Sequence, residues 1–245
     1  MIKFYNDQWF SISFSDIQKL SRTKIAGQDF YECFYQAFFN KYDSFDDIDS
    51  SWREQKLAVG DFIVSGLSAG KILSVGAGLG FVESYIHSEF RDILELHVTD
   101  FSDVSNKWLR EILPQGRVHK EDIGNGYDLI YISNVDYSLT DIEFISMLQS
   151  FDSALNKGGQ ILIISSTFLS SRFWGLGWHK IKSSLKYILE ILNIKKAKSQ
   201  FWGFLRYPRD FERICNDAGL SVSSSGMFGN LYYVKARNEV NTVIE

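Results

Sequence analysis

Three glycines spaced two apart, in Ser74-Val75-Gly76-Ala77-Gly78-Leu79-Gly80, follow an apolar run and lead into a segment of helical period. Glycines at such a junction permit a tight turn and let a ligand approach the backbone amides closely. A dinucleotide fingerprint needs G-x-G-x-x-G, but position 81 is Phe, so this loop favours a ligand without a pyrophosphate. Asp100, with Phe101 behind it, ends the apolar run Leu94-Glu95-Leu96-His97-Val98-Thr99. A carboxylate there can accept both ribose hydroxyls of an adenosyl group through charge-assisted hydrogen bonds. Asp122 follows Arg117-Val118-His119-Lys120-Glu121, where its side chain and the amide of Ile123 are placed to read an adenine edge. Ser133-Asn134-Val135-Asp136-Tyr137 closes the next run.

Each of these groups needs a strand behind it, and the pattern supplies one. From Lys71 onward, the apolar runs Ile72–Val75, Leu94–Val98, Tyr127–Ser133 and Gln160–Ser165 alternate with segments of helical period, the signature of βαβ units in a parallel sheet. All four groups then sit at strand carboxyl ends, where open α/β sheets bind ligands. Thr140-Asp141-Ile142-Glu143 reads as a capping box that starts a helix running to Lys157-Gly158-Gly159. A last helix opens at Pro208, carries Phe211, Ile214, Cys215 and Ala218 on one face, and closes at Gly219. Strands near Ser221–Met227 and Leu231–Ala236 complete the sheet. Residues 1–68, rich in aromatics such as Tyr31, Phe34, Tyr35 and Phe38, read as a helical cap over the sheet edge or the site.

The totals agree with one soluble α/β domain: 245 residues, 45% apolar and 23% charged. No apolar stretch has the length of a membrane span and no signal peptide is recognisable, which predicts a cytoplasmic protein. Cys33 and Cys215, far apart in sequence, read as plain buried thiols, and with four His and no His/Cys cluster no metal site is expected. The aspartates at 43, 46, 47 and 49 lack the glycine and terminal glutamate of a calcium loop and read as a solvated turn.

From Lys71 to about Arg237 the chain resembles the class I S-adenosylmethionine-dependent methyltransferases. The resemblance rests on Gly76, Gly78 and Gly80, on Asp100, Asp122 and Asn134, on the Lys157-Gly158-Gly159 turn, and on Arg206-Tyr207-Pro208 leading to Ala218-Gly219-Leu220. It implies a Rossmann-like fold with a seven-stranded, mostly parallel sheet whose last strand is antiparallel. It also implies a domain over 69–237 and S-adenosylmethionine as methyl donor, with S-adenosylhomocysteine as product. Gly76, Ala77, Gly78, Gly80, Asp100, Phe101, Asp122, Ile123 and Asn134 would hold that donor. Two departures stand out: Ser74 occupies the place of the family's acid two residues before the first glycine, and Tyr137-Ser138 replaces paired histidines found in many small-molecule members.

Methyl transfer needs chiefly alignment. If the acceptor is a hydroxyl, the candidates for a general base are Asp136, Tyr137 and His179. Their structural alternatives are a turn cap, a packing wall and a surface residue. His87, His97 and His119 read as structural. Residues 168–206 form an insertion after the fifth strand, read as a basic amphipathic helix in which Trp174, Trp178, Ile181 and Leu185 share a stripe with Lys180, Lys182 and Lys186 beside it. Nine basic residues between Phe168 and Arg209, Arg206 among them, face only Glu190; this gives +8 there and −12 elsewhere within a total of −4. A small-molecule or glycan O-methyltransferase is the first expectation, its acceptor anionic or lipid-linked, with peripheral membrane contact through 172–198 as one possibility. An RNA methyltransferase and a non-catalytic adenosyl-binding subunit are the alternatives. Residues 238–245 read as a tail.

Overall fold

The computed structural model describes residues 2–120, 122–167 and 199–238. In chain order come β1 (Ile2–Asn6), β2 (Gln8–Trp9), β3 (Ile12–Ser13), α1 (Phe14–Ile17), α2 (Gln28–Lys41) and α3 (Ser50–Val64). Then follow β4 (Gly70–Val75), α4 (Phe81–Phe90), β5 (Leu94–Thr99), α5 (Asp103–Ile112), β6 (Val118–His119), β7 (Tyr127–Ser133), α6 (Asp141–Ala154) and β8 (Leu155–Ser165). The chain closes with β9 (Gln200–Leu205), α7 (Pro208–Asp217), β10 (Ser221–Phe228) and β11 (Leu231–Arg237).

Seven strands form the central sheet in the order β10-β11-β8-β7-β4-β5-β6. Strands β4 to β8 are parallel, while β11 runs antiparallel to both β8 and β10. This is the expected mostly parallel sheet with its antiparallel last strand. Period two divides the core. Ile130, Ile132, Ile161 and Ile163 meet α6 and α7 on one face, whereas Leu129, Tyr131, Leu162 and Ile164 meet α3 and α4 on the other; Tyr127 joins the first group across the register shift before Leu129. Each such fully buried aliphatic stabilises by roughly 1.5–3 kcal/mol. Thr140 and Glu143 form the anticipated capping box of α6. That helix stops at Ala154 rather than at the Lys157-Gly158-Gly159 turn, because Leu155 already pairs with Tyr127 and the Asn156 amide donates to Gly126 O and Asp128 Oδ1.

The first 68 residues depart from an all-helical cap. Two substantial helices, α2 and α3, are present, but the chain opens with strands, and β1 pairs antiparallel with β9 in a separate two-stranded sheet. Positions 200–205, assigned by sequence to the helical insertion, are therefore strand. Tyr5 packs on Phe201 and Lys3 lies over the same ring, contacts between segments almost 200 residues apart that no local period announces. The aromatic face of α2 (Phe30, Tyr31, Phe34, Tyr35, Phe38) forms a third core with Phe14 and Trp202. Cys33, expected to be buried, is exposed, because it lies on the opposite face of α2; Cys215 is buried as expected. Ser44 caps the turn Phe45–Asp47 and Asp49 caps α3, so two of the clustered aspartates, Asp47 and Asp49, serve as helix-end partners. Among the described residues, no helix is long and apolar enough to cross a membrane. The basic amphipathic stretch 168–198, with His179, lies outside the described residues.

Candidate functional site

The glycine loop emerges from β4 at the centre of the sheet. Gly76 has φ +72°, and a Cβ there would collide with Val135 Cγ2; Gly78 has φ +61°. Both positions therefore need glycine, the first for close approach to the turn after β7 and both for left-handed backbone. Gly76 N–H donates to Thr99 O at 2.8 Å and Gly78 N–H donates to Asp100 Oδ2 at 2.8 Å. Asp100 Oδ1 accepts from Ser102 N–H at 2.9 Å, and the Asn106 amide holds the Asp100 carbonyl at 2.7 Å. The predicted carboxylate thus fastens the predicted loop.

Helix α2 closes over this junction. Glu32 accepts from Ser102 Oγ, Asp103 N–H and Val104 N–H, placing a negative charge at the N-terminus of α5 where the helix dipole favours it. Tyr35 Oη would lie 3.1 Å from a Cβ on Gly78, and Tyr31 meets the Phe101 ring edge-on at 5.4 Å. Asp100 is left 3% exposed, and burial pushes its carboxyl up to about 6 against the two amide hydrogen bonds; the charges of Glu83 and Glu32 add to that rise.

Beside the loop lies a cavity of 480 Å³, within the ~300–1,000 Å³ typical of small-molecule sites. Gly76, Ala77, Gly78, Gly80, Asn134 and Tyr137 line it, so these six predicted site residues come together. Asn134 takes a left-handed φ of +57° and accepts from the backbone and hydroxyl of Ser166 at 3.1 and 3.0 Å, tying the ends of β7 and β8 together. Ser133 Oγ and Thr167 Oγ1, on the same walls, are buried without a partner among the described residues.

Five other predicted residues lie off the cavity lining, and Asp100 is one of them, both its carboxylate oxygens being turned to the amides of Gly78 and Ser102. Phe101 is 46% exposed beside α2. Asp122 is exposed and folds back on Gly124 N–H, while Ile123 packs on the core under α6 and receives the Tyr127 hydroxyl at its carbonyl. Asp136 is sealed behind the cavity. Its Oδ2 lies 3.5 Å from Nη1 of Arg206, a fully buried guanidinium that also binds the Asp136 and Leu139 carbonyls and Asp141 Oδ1. Burial raises the Asp136 carboxyl to about 6 even with the Arg206 charge pulling it down. Arg206, counted by sequence with the basic surface, is thus interior and adds nothing to that surface.

Tyr137 sits on the cavity wall, stacked on Trp202 at 6.0 Å with its hydroxyl 2.9 Å from that of Tyr31. Burial holds its phenol at about 12, so near neutral pH it is a hydrogen-bonding wall and not a ready proton acceptor. Strand β9 completes this side: Gly203 lies so close to the Tyr137 carbonyl that a Cβ would collide with it. Phe4, Trp9, Trp202 and Leu205 supply the rest of an apolar wall.

Sequence reasoning missed Glu83, Lys56, Phe4 and Trp202, all of which line the cavity. Glu83 carried a signal, because it shares the buried side of α4 with Val82 and Ile86, where an acid has no business unless partnered. The two aromatics carried none, their position depending on the β1–β9 pairing.

Comparison with solved structures places this fold. The mitomycin 7-O-methyltransferase MmcR superposes with a TM-score of 0.56 at 17% identity, over 84% of this chain and 57% of its own. Magnesium protoporphyrin IX methyltransferase from Synechocystis PCC 6803, with S-adenosylhomocysteine bound, gives 0.57 at 13% identity, over 86% of this chain and 97% of its own. PigF with S-adenosylhomocysteine gives 0.56 at 16% identity, over 86% and 60%. The chain thus spans little more than half the length of two of these three. No protein-family model and no curated protein matches it. At such identities the likeness establishes the fold, which is that of the S-adenosylmethionine-dependent methyltransferases.

Proposed function

We propose that this chain is an S-adenosylmethionine-dependent methyltransferase that acts on an oxygen of a small acceptor with a flat apolar face. The observation that carries it is one cavity in which the glycine loop, braced by Asp100, meets a wall of Phe4, Trp9, Tyr137 and Trp202. The residues fit the donor. Two left-handed glycines give close access to the backbone, the Asp100 carboxylate at the end of β5 is the acid that the resemblance assigns to the ribose, and unpartnered hydroxyls border the cavity. When bound, S-adenosylmethionine supplies a methyl group activated by a sulfonium. The protein's part is to hold the acceptor oxygen in line, an alignment worth up to ~7–11 kcal/mol. Aromatic walls fix the plane of the acceptor and exclude water, and the Tyr137 hydroxyl, oriented by Tyr31, is placed to hydrogen-bond the acceptor.

Support for an anionic, lipid-linked or RNA acceptor came from the basic segment, which loses Arg206 to the interior and otherwise lies mostly outside the described residues. The walls around the cavity favour an apolar small molecule instead. Labelled donor offered with a panel of phenols and simple sugars tests the choice: transfer to phenols and not to sugars is expected. Tight S-adenosylhomocysteine binding with no transfer to any acceptor would instead mark a non-catalytic adenosyl-binding subunit. Phe4 is only half-buried, so Phe4→Ala should fold, raise KM for the acceptor about tenfold through the lost ring contact, and leave S-adenosylhomocysteine affinity unchanged by calorimetry. Equal losses for donor and acceptor would remove Phe4 from the acceptor wall.

A further inference from the structure

Ser74 stands where the family pattern has an acid, and the structure shows what it does there. Its Oγ donates to Glu83 Oε1 at 2.6 Å, and the Tyr131 hydroxyl donates to the same oxygen at 3.0 Å. Both of these hydroxyl bonds fall on Oε1, and the backbone N–H of Glu83 adds a further bond to a carboxylate that is 4% exposed and yet lines the cavity next to the glycine loop. Lys56 reaches the same cavity from α3, its ammonium 5.7 Å from the Trp52 ring. Burial pushes the Glu83 carboxyl up and the Lys56 ammonium down, and the field of each draws the other back toward its charged form. Among the described residues neither closes an ion pair. A buried carboxylate and a partly buried ammonium that face one cavity without an ion pair are costly, unless a ligand brings the complementary pair.

The geometry points to Glu83 and Lys56 as the receptor for the amino-acid end of the donor, the Glu83 carboxylate accepting from its ammonium and Lys56 Nζ donating to its carboxylate. This rests on the donor-binding reading above. The acid has moved from the strand to the helix that follows the loop, and Ser74 acts through it as a positioning residue. Tyr131, rising from β7 under the same carboxylate, fixes its orientation from the other side. A zwitterion matches the pair in sign at both ends, whereas an adenosyl thioether without the amino-acid portion engages neither charge.

Calorimetric titration of the full chain with two probes separates the possibilities. S-adenosylhomocysteine carries the amino-acid end, and 5′-methylthioadenosine keeps the adenosyl thioether without it. Glu83→Gln retains an acceptor for Ser74 and Tyr131, and Lys56→Met retains the aliphatic stem. Each should weaken S-adenosylhomocysteine about 10- to 100-fold, the scale of one charge-assisted hydrogen bond, and leave 5′-methylthioadenosine unchanged. The ratio of the two affinities within one variant does not depend on the fraction folded, so partial unfolding cannot imitate the result. Parallel losses for both probes, or no loss for S-adenosylhomocysteine, would overturn the assignment. Wild-type protein that binds both probes equally overturns it as well, while leaving the donor site standing. Wild-type protein that binds neither removes the donor reading and the assignment together.

Discussion

Arg206→Met is expected to cost about 3–5 kcal/mol of folding stability, because it leaves the Asp136 carboxylate buried without its counter-charge. The guanidinium is fully buried and binds two carbonyls and two carboxylates, joining the turn after β7 to the first turn of α6. The loss should depend on pH with a definite sign. Asp136 has a folded value of about 6, above its ordinary 3.8, so between these values the folded state binds more protons than the unfolded. Its contribution is thus most favourable below about pH 4 and declines as pH rises through about 6. Removing Arg206 takes away the charge that lowers this carboxyl, and the window extends upward. Urea melts should therefore show the variant's deficit widest at pH 7.5 and narrower at pH 5. Asp136→Asn added to Arg206→Met should recover part of it, since a neutral amide needs no counter-charge and Asp141 keeps Arg213 as partner. A deficit that is small and flat with pH would show that the pair contributes little to holding the two segments together.

The same residue shows where a sequence stops being informative. In Arg206-Tyr207-Pro208, the proline marked a helix start and α7 begins there. The arginine before it was legible only as a charge among charges. Whether an arginine is solvated or interior depends on what faces it, and its partners Asp136 and Asp141 lie about 65–70 residues upstream. Elements with a strong internal period were readable because their period is caused by the faces they bury, and α7 and the strands β4, β5 and β7 came out at or near their expected bounds, while α6 started where expected and β8 began before its expected Gln160. The glycine loop was readable for a related reason: positive φ at Gly76, Gly78 and Gly80 is a local requirement that leaves a local mark.

Sites built from distant segments left no such mark. Trp202 stacks on Phe14 at 4.8 Å and on Tyr137 at 6.0 Å, and it reaches them only because β9 pairs with a strand at the other end of the chain. The third strand misled in the opposite direction. Val118–His119 is only two residues long, so Asp122 lies beyond it in an exposed turn and not at a strand end. Asp136 followed a strand as predicted, but it belongs to the support behind the cavity and Tyr137 to the wall. Position relative to a strand thus located the site without saying which way each side chain points.

Loss of donor binding in Gly78→Val should be the larger of two effects at the loop, more than about 100-fold by calorimetry. The φ of +61° strains any β-branched residue, and the N–H that binds Asp100 would shift with it. Asp100→Asn is subtler, because Asp100 accepts two backbone amides and is proposed in addition to receive the ribose. An asparagine keeps one acceptor and turns a donor toward the other amide, so affinity should fall about 10- to 100-fold on either task alone. A pH series tells the tasks apart. If the ionised carboxylate receives the ribose, wild-type affinity for 5′-methylthioadenosine should hold above about pH 6 and fall by up to about tenfold per unit below it, as burial lets Asp100 take up a proton. S-adenosylhomocysteine should fall more steeply, because the Glu83 carboxyl is also raised and would lose its ammonium partner on protonation. Asp100→Asn should flatten the 5′-methylthioadenosine profile while that of S-adenosylhomocysteine keeps the Glu83 component. A wild-type 5′-methylthioadenosine profile without a break near pH 6 would confine Asp100 to bracing the loop, and the ribose would have to be held elsewhere.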